Sequence, residues 1–315
     1  MIKIILCLLL STLVACGGGG SGSSAPEAPE APEAPEAPPP VSNSTDVTYT
    51  KATKLGSNVN HATAIDAGPE ISENKLELYF HSDRAGGLGN FDIYVSSRAS
   101  TSDSWGLASS LGAAINTSSN DRAPTLSKDG LTMIFASDRI GGEGDYDLYM
   151  ATRATLNDAW SLPTNLGTVI NTQYYESGPS LSADGLSLYF HTDLPDIFGG
   201  NDIYVSTRAT ILDPWSPAEN LGAVINTSDF DLAADIASDG LTLYFHSTRA
   251  GGPGLHNIWR STRATVDDAW DTPTVMASPV NSSASDLGPS ISGDWETLYL
   301  ASDVGGNRDI WEIVP

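Results

Sequence analysis

The stretch whose reading decides the fold is YFHSDRAGGLGNFDIY, from Tyr79 to Tyr94. Its Asp83-Arg84 pair, its glycines and its closing Asp92 admit three readings: a loop that cradles phosphate, a carboxylate loop that holds calcium, or a connection between two β-strands. A phosphate loop needs glycines that run into a helix N-terminus, with Lys and Ser or Thr following. Here they run into Asp92-Ile93-Tyr94, which reads as a strand. A calcium loop offers alternating carboxylates at close spacing, whereas Asp83 and Asp92 stand nine residues apart with glycine and apolar residues between them. The strand connection remains.

The rest of the chain supports it by repetition. A phrase of the form Leu-Gly-x-x-(Ile/Val)-Asn recurs with its Asn at positions 60, 116, 171, 226 and 281, at intervals of 56, 55, 55 and 55 residues. After each Asn come a Pro-Ser-like segment, a turn, an apolar segment such as LYFHS, a glycine loop and a second apolar segment such as DIYVS. Three of the turns are Asp-Gly (Asp129-Gly130, Asp184-Gly185, Asp239-Gly240), a strong hairpin signal. Trp105, Trp160, Trp215 and Trp270 each stand six residues before the Leu or Met that opens the next repeat. No stretch carries a sustained 3.6-residue apolar period. Four short strands per repeat, arrayed radially, predict an all-β fold: a five-bladed β-propeller of four-stranded blades.

The two ends of the chain fit ring closure. The fifth repeat stops at Pro315 after its third strand. The segment Val47–Leu55 can supply the missing fourth, with Tyr49 in the tryptophan column. It is expected to pair with Asp309–Val314 and leave no open edge. The pattern S-x-D-G-x-x-L-Y-F-x-S-D-R-x-G-G-x-G-x-x-D-I-Y resembles the WD40-like (PD40) repeat of TolB-type propellers, and does so over residues 47–315. The resemblance implies that the first strand of each blade lines a central channel. It also implies that the loop before that strand, and the loop between the second and third strands, open on the binding face. It says little about function, since such blades serve scaffolds, peptidase-associated domains and envelope lipoproteins.

The front of the chain adds a location. Lys3 precedes an apolar run from Ile4 to Val14, too short to span a bilayer and of the length of a signal-peptide core. Leu13-Val14-Ala15-Cys16 resembles the bacterial lipoprotein cleavage box. That implies a signal peptide over 1–15 and a lipid anchor on Cys16, with sorting to the outer membrane of a Gram-negative host. With Cys7 removed, the mature chain holds only Cys16, so no disulfide is available. Residues 16–46 form a Gly/Ser and Ala-Pro-Glu spacer. Its Ala25–Pro40 part would reach roughly 50 Å in polyproline II form.

The chain holds 15 basic and 39 acidic residues, a net charge of −24. That field disfavours nucleic acid and anionic lipid faces and suits cations or basic peptides. The expected protein is a monomer that engages a protein, basic peptide or glycan partner.

Three columns fall on the expected binding face. Asp66, Asp121, Glu176, Asp231 and Asp286 recur in all five repeats. They read either as a ring that meets a ligand or calcium, or as caps that accept backbone N–H bonds in their own loops. Arg84, Arg139 and Arg249 join them as candidate ligand-binding residues. His81, His191 and His246 occupy three repeats, with Ala136 and Ala301 in the other two. They read as a zinc set or as strand-end histidines packed beside aromatic rings. The pattern breaks at Glu70 and Asp235, which share a column, and at the Leu194–Gly200 insertion with Ile197 and Phe198 at its tip. No hydrolase motif is present. Asp231, Asp235, Glu70 and Glu176 are nonetheless candidates for an acid–base pair, so a carbohydrate-active enzyme is the alternative to a binding module.

Overall fold

The computed structural model describes residues 47–195 and 198–315. The leader, Cys16, the spacer and Ile197 lie outside the described residues. Twenty strands form five antiparallel sheets of four. Blade I is β2 (Asp66–Ile71), β3 (Glu77–Ser82), β4 (Asp92–Ser97) and β5 (Ser109–Ser110). Blade II is β6 (Asp121–Leu126), β7 (Thr132–Ser137), β8 (Asp147–Thr152) and β9 (Thr164–Asn165). Blade III is β10 (Glu176–Leu181), β11 (Ser187–Thr192), β12 (Asp202–Thr207) and β13 (Glu219–Asn220). Blade IV is β14 (Asp231–Ile236), β15 (Thr242–Ser247), β16 (Asn257–Thr262) and β17 (Thr274–Val275). Blade V is β18 (Asp286–Ile291), β19 (Leu298–Ser302) and β20 (Asp309–Val314), completed by β1 (Lys51–Lys54) from the start of the described chain. The one helical element among the described residues is a 3-10 turn at Gly112–Ala114.

The expected closure is present, with a shorter strand than the segment that suggested it. Lys51 pairs with Val314 and Lys54 with Trp311. Backbone bonds from Thr50 N–H to the Val314 carbonyl and from Leu55 N–H to the Ile310 carbonyl extend the ladder by one residue at each end. Tyr49 takes the tryptophan position. It is buried, and its hydroxyl donates to the Trp295 carbonyl. The four tryptophans of that column each carry an arginine on one face: Arg98, Arg153, Arg208 and Arg263 lie 4.2 to 4.4 Å from their ring centroids.

The core lies between blades rather than within them. Strand alternation places every second side chain on each face of a blade, and both faces are covered by neighbours. Tyr79 and Ile93 of blade I pack with Met133, Phe135 and Tyr149 of blade II. Blades II and III meet through Ile134, Leu148, Phe190 and Tyr204, and blades V and I through Tyr299, Ile310, Leu78 and Phe80. A single blade would leave these side chains in water.

The recurrent asparagine explains how the blades are tied. Asn116 is buried. Its Oδ1 accepts from Ile93 N–H at 2.8 Å and its Nδ2 donates to the Ile93 carbonyl at 2.9 Å. It thus serves both backbone groups of one third-strand residue, beyond the end of a fourth strand only two residues long. Asn171 does the same for Leu148, Asn226 for Ile203 and Asn281 for Ile258. Asn60 does it for Ile310, 250 residues away, and so fastens the two ends of the ring. Replacing Asn60 with Ala leaves the buried Ile310 N–H without a partner, while the Ile310 carbonyl keeps its bond from Leu55 N–H. It should cost about 1–3 kcal/mol. Deleting everything before Leu55 removes β1 as well and should lower stability further. Chemical denaturation measures both, and a truncated chain that unfolds like the parent contradicts the closure.

Candidate functional site

The first strand of each blade lines the channel. Each carries a bulge, where a residue with positive φ interrupts the register: Gly68, Ala123, Gly178, Ala233 and Gly288, at φ 44 to 58°. A proline follows in four blades, which suits a position with no ladder partner. Gly68 and Gly178 have a second reason to lack a side chain. A Cβ on either would stand 2.7 Å from the ring of His81 or His191. These bulges, with their prolines, narrow the lumen to a volume of about 40 Å³.

The five-carboxylate column sits just before the bulges. Asp66, Asp121, Glu176, Asp231 and Asp286 are all buried. Each accepts a backbone N–H from its own loop: His61, Thr117, Thr172, Thr227 and Ser282 respectively, at 2.6 to 2.9 Å. In three blades the other oxygen meets an arginine at 2.5 Å: Arg84 to Asp66, Arg139 to Asp121 and Arg249 to Asp231. The same guanidinium groups donate to the carbonyls of Val59, Ile115 and Ile225. Blades III and V lack the arginine. There Glu176 takes hydroxyls from Thr172 and Thr192, and Asp286 takes them from Ser282 and Ser302. Without a cationic partner, burial raises the pKa of both. These contacts are those of loop caps joined to ion pairs. The second aspartate column behaves alike: Asp92 accepts from Leu88 and Gly89 N–H, Asp147 from Glu143 N–H and Asp202 from Phe198 N–H.

The histidines join neighbouring blades. Nδ1 of His81 accepts Ala123 N–H, that of His191 accepts Ala233 N–H and that of His246 accepts Gly288 N–H, at 3.1 to 3.2 Å. Burial, and then the charge of Arg122, hold His81 and His191 down at about 3, so both are neutral at physiological pH. Among the described residues no three His, Cys, Asp or Glu side chains converge as a metal-binding set.

Below the bulges a second ring encircles the lumen: Glu70, Thr125, Ser180, Asp235 and Ser290, one residue per blade and each four positions after the column carboxylate. Its members bind one another and the next blade. Glu70 accepts Leu126 N–H at 2.8 Å and takes hydroxyls from Thr125 and Ser290. Asp235 accepts Ile291 N–H at 2.7 Å and the Ser180 hydroxyl. Both carboxyls touch the narrow lumen yet are enclosed by protein. Loss of hydration raises them, to about 8 for Glu70, with a further push from Asp235, and to about 7 for Asp235. The basin they line measures about 60 Å³. Of the four residues considered as an acid–base set, Glu70 and Asp235 therefore share this basin, while Asp231 and Glu176 belong to the capped column above it.

Sequence reasoning missed Arg122. It is the only cation at the position after the column carboxylate, where the other blades have Ala67, Ser177, Leu232 and Leu287. Its guanidinium lies 3.9 Å from the centroid of Tyr146 and donates to the Tyr175 hydroxyl at 2.5 Å. The signal was available as a single departure in a column of small and apolar residues.

No protein-family profile and no curated protein matches the chain. Among solved structures, the fold is similar to that of an Agrobacterium tumefaciens protein assigned as TolB, with 18% identity, 80% of this chain and 76% of that one covered, and a TM-score of 0.50. It is also similar to the catalytic domain of a family-62 α-L-arabinofuranosidase from Coprinopsis cinerea (11% identity, 85% and 96% covered, TM-score 0.58). An endo-arabinase from Bacteroides thetaiotaomicron gives 14% identity, 83% and 96% coverage and a TM-score of 0.57. Likeness at such identities establishes the propeller architecture alone.

The lower ring makes stability depend on pH. Both carboxyls have folded pKa values above their ordinary ones, so folding favours the protonated forms. Their contribution is fully present below about pH 4 and is lost as pH rises through about 7 to 8. Glu70→Gln copies the protonated acid. It should melt like the parent near pH 4 and about 3–6 °C above it at pH 8.5. Melting curves that stay parallel across this range contradict the assignment.

Proposed function

We propose that this chain is a membrane-anchored, extracytoplasmic binding propeller of TolB-like architecture. It is held by lipid on Cys16 at the outer membrane and engages a protein or peptide partner, or a glycan, across its loop face. The observation that supports this best is a set of exposed apolar residues, one in each connection between second and third strands: Leu88, Ile140, Phe198, Leu255 and Val304. Single exposed apolar residues are ordinary on a surface. One in each of the five equivalent connections, though at differing positions within them and with acidic residues among them, supports a docking surface.

The hydrolase reading draws support from Glu70 and Asp235, whose raised pKa values suit a general acid. Against it stand the size of their basin, about 60 Å³, where small-molecule pockets commonly measure ~300–1,000 Å³, and the occupation of their oxygens by neighbouring blades. Roomier hollows run past Arg263 and Trp270, at about 600 Å³, and past Arg98 and Trp105, at about 520 Å³; both serve binding as readily as catalysis.

Two measurements test the proposal. Cell fractionation should place the parent chain with the membrane and Cys16→Ala in the soluble envelope fraction; equal partition of both removes the anchor. Incubation with aryl arabinofuranosides and arabino-oligosaccharides should give no turnover above buffer. Turnover abolished by Glu70→Gln or Asp235→Asn would establish the hydrolase instead.

A further inference from the structure

The mouth of the channel, on the loop face, is a concentration of hydrogen-bond donors in an acidic chain. The three histidines accept a backbone N–H at Nδ1, so their ring protons sit on Nε2. Arg122 forms no ion pair among the described residues, and its Nε is buried without a partner. The Tyr175 hydroxyl accepts from Arg122 and so keeps its own proton to give. Its ring lies 5.7 Å from that of His191. Arg122 stands beside Ala123, whose N–H binds His81, and its guanidinium reaches Tyr175, whose ring lies against His191, so the three meet at one opening. On the neighbouring loops, Asp138 accepts from Asn120, and Asp193 accepts from Tyr175 N–H.

Donors gathered without acceptors call for an anionic acceptor from outside. The lumen behind them, at about 40 Å³, admits water but not a chain. The acceptor must therefore be a small terminal group that caps the opening. A polymer with a carboxylate on every unit meets repulsion from a chain of net charge −24. A peptide whose single carboxylate is terminal, with basic residues before it, has its charges in the complementary order: anion at the centre, cations over the acidic loops.

We propose that Arg122, Tyr175 and the Nε2–H groups of His81 and His191 form a receptor for the C-terminal carboxylate of a peptide or protein partner. This rests on the binding reading above and names the chemistry of its partner. Arg122 supplies the charge. The histidines supply neutral, orienting donors whose tautomer the next blade fixes.

The probe is an acetylated, lysine-containing hexapeptide ending in a free carboxylate, beside the same peptide as its C-terminal amide, titrated calorimetrically against the full-length chain. The free acid should bind at least ~30-fold more tightly than the amide, and Arg122→Gln should erase that difference. Arg122→Lys keeps the charge and loses the planar fork, so it should retain part of the preference. Thermal melts of both variants confirm folding. Equal affinity of acid and amide, or an unchanged preference in folded Arg122→Gln, overturns the receptor. Arg122-dependent binding of a digalacturonate without binding of the peptide overturns the peptide assignment in favour of an acidic sugar. A partner that docks on the loop face regardless of Arg122 leaves the binding propeller standing and removes this receptor alone.

Discussion

Five buried asparagines hold this molecule together in the way its short fourth strands cannot. Each grips both backbone groups of one third-strand residue, and Asn60 extends the same grip from the first repeat to the last strand. A fourth strand of two residues offers little ladder: the third-strand carbonyl still accepts a backbone N–H, but without the asparagine the N–H of the same residue would lose its partner at the core boundary. The apolar clusters between blades depend on this, since each needs two blades held at a fixed spacing. Closure is then a property of the whole ring.

The inner surface follows from the same economy. A propeller of five blades brings its first strands close together, and the bulges at Gly68, Ala123, Gly178, Ala233 and Gly288 shape them to that space. The polar side chains that remain inside are placed where one blade's acceptor meets the next blade's donor. Glu70 with Leu126, Ser180 with Ile236, Asp235 with Ile291 and Ser290 with Ile71 repeat this contact around the ring. Carboxyls at two of these places make the ring sensitive to pH, where hydroxyls alone would not. The charges of the upper column are likewise spent inside the fold, which leaves the mouth to Arg122 and the histidines.

Much of the architecture was legible because a 55-residue period, Asp-Gly turns and a missing last strand are properties of the sequence itself. The reading of Tyr79–Tyr94 as a strand connection stands, with Asp92 binding the loop backbone. The asparagine column was visible as a marker, but its role was not, since a bidentate grip on Ile93 depends on chain folding back across 23 residues. The carboxylate column was equally visible. Its burial was not, although the constant separation of 18 residues between Asp66 and Arg84, Asp121 and Arg139, and Asp231 and Arg249 carries the pairing. Arg122 is a departure shared by no other repeat, and such a residue acquires a role only from its surroundings in the fold. Nothing in the sequence shows which oxygen or nitrogen of a side chain is already taken, and that distinction separates the capped carboxylates from the open donors.

The central claim is that the five asparagine grips make one cooperative ring. Native-state hydrogen exchange at the amides of Ile93, Leu148, Ile203, Ile258 and Ile310 tests it most directly. In one cooperative ring all five exchange only through global unfolding, with the same free energy and the same dependence on denaturant. Blade-by-blade exchange, or an Ile310 amide that opens well before the other four, would contradict it.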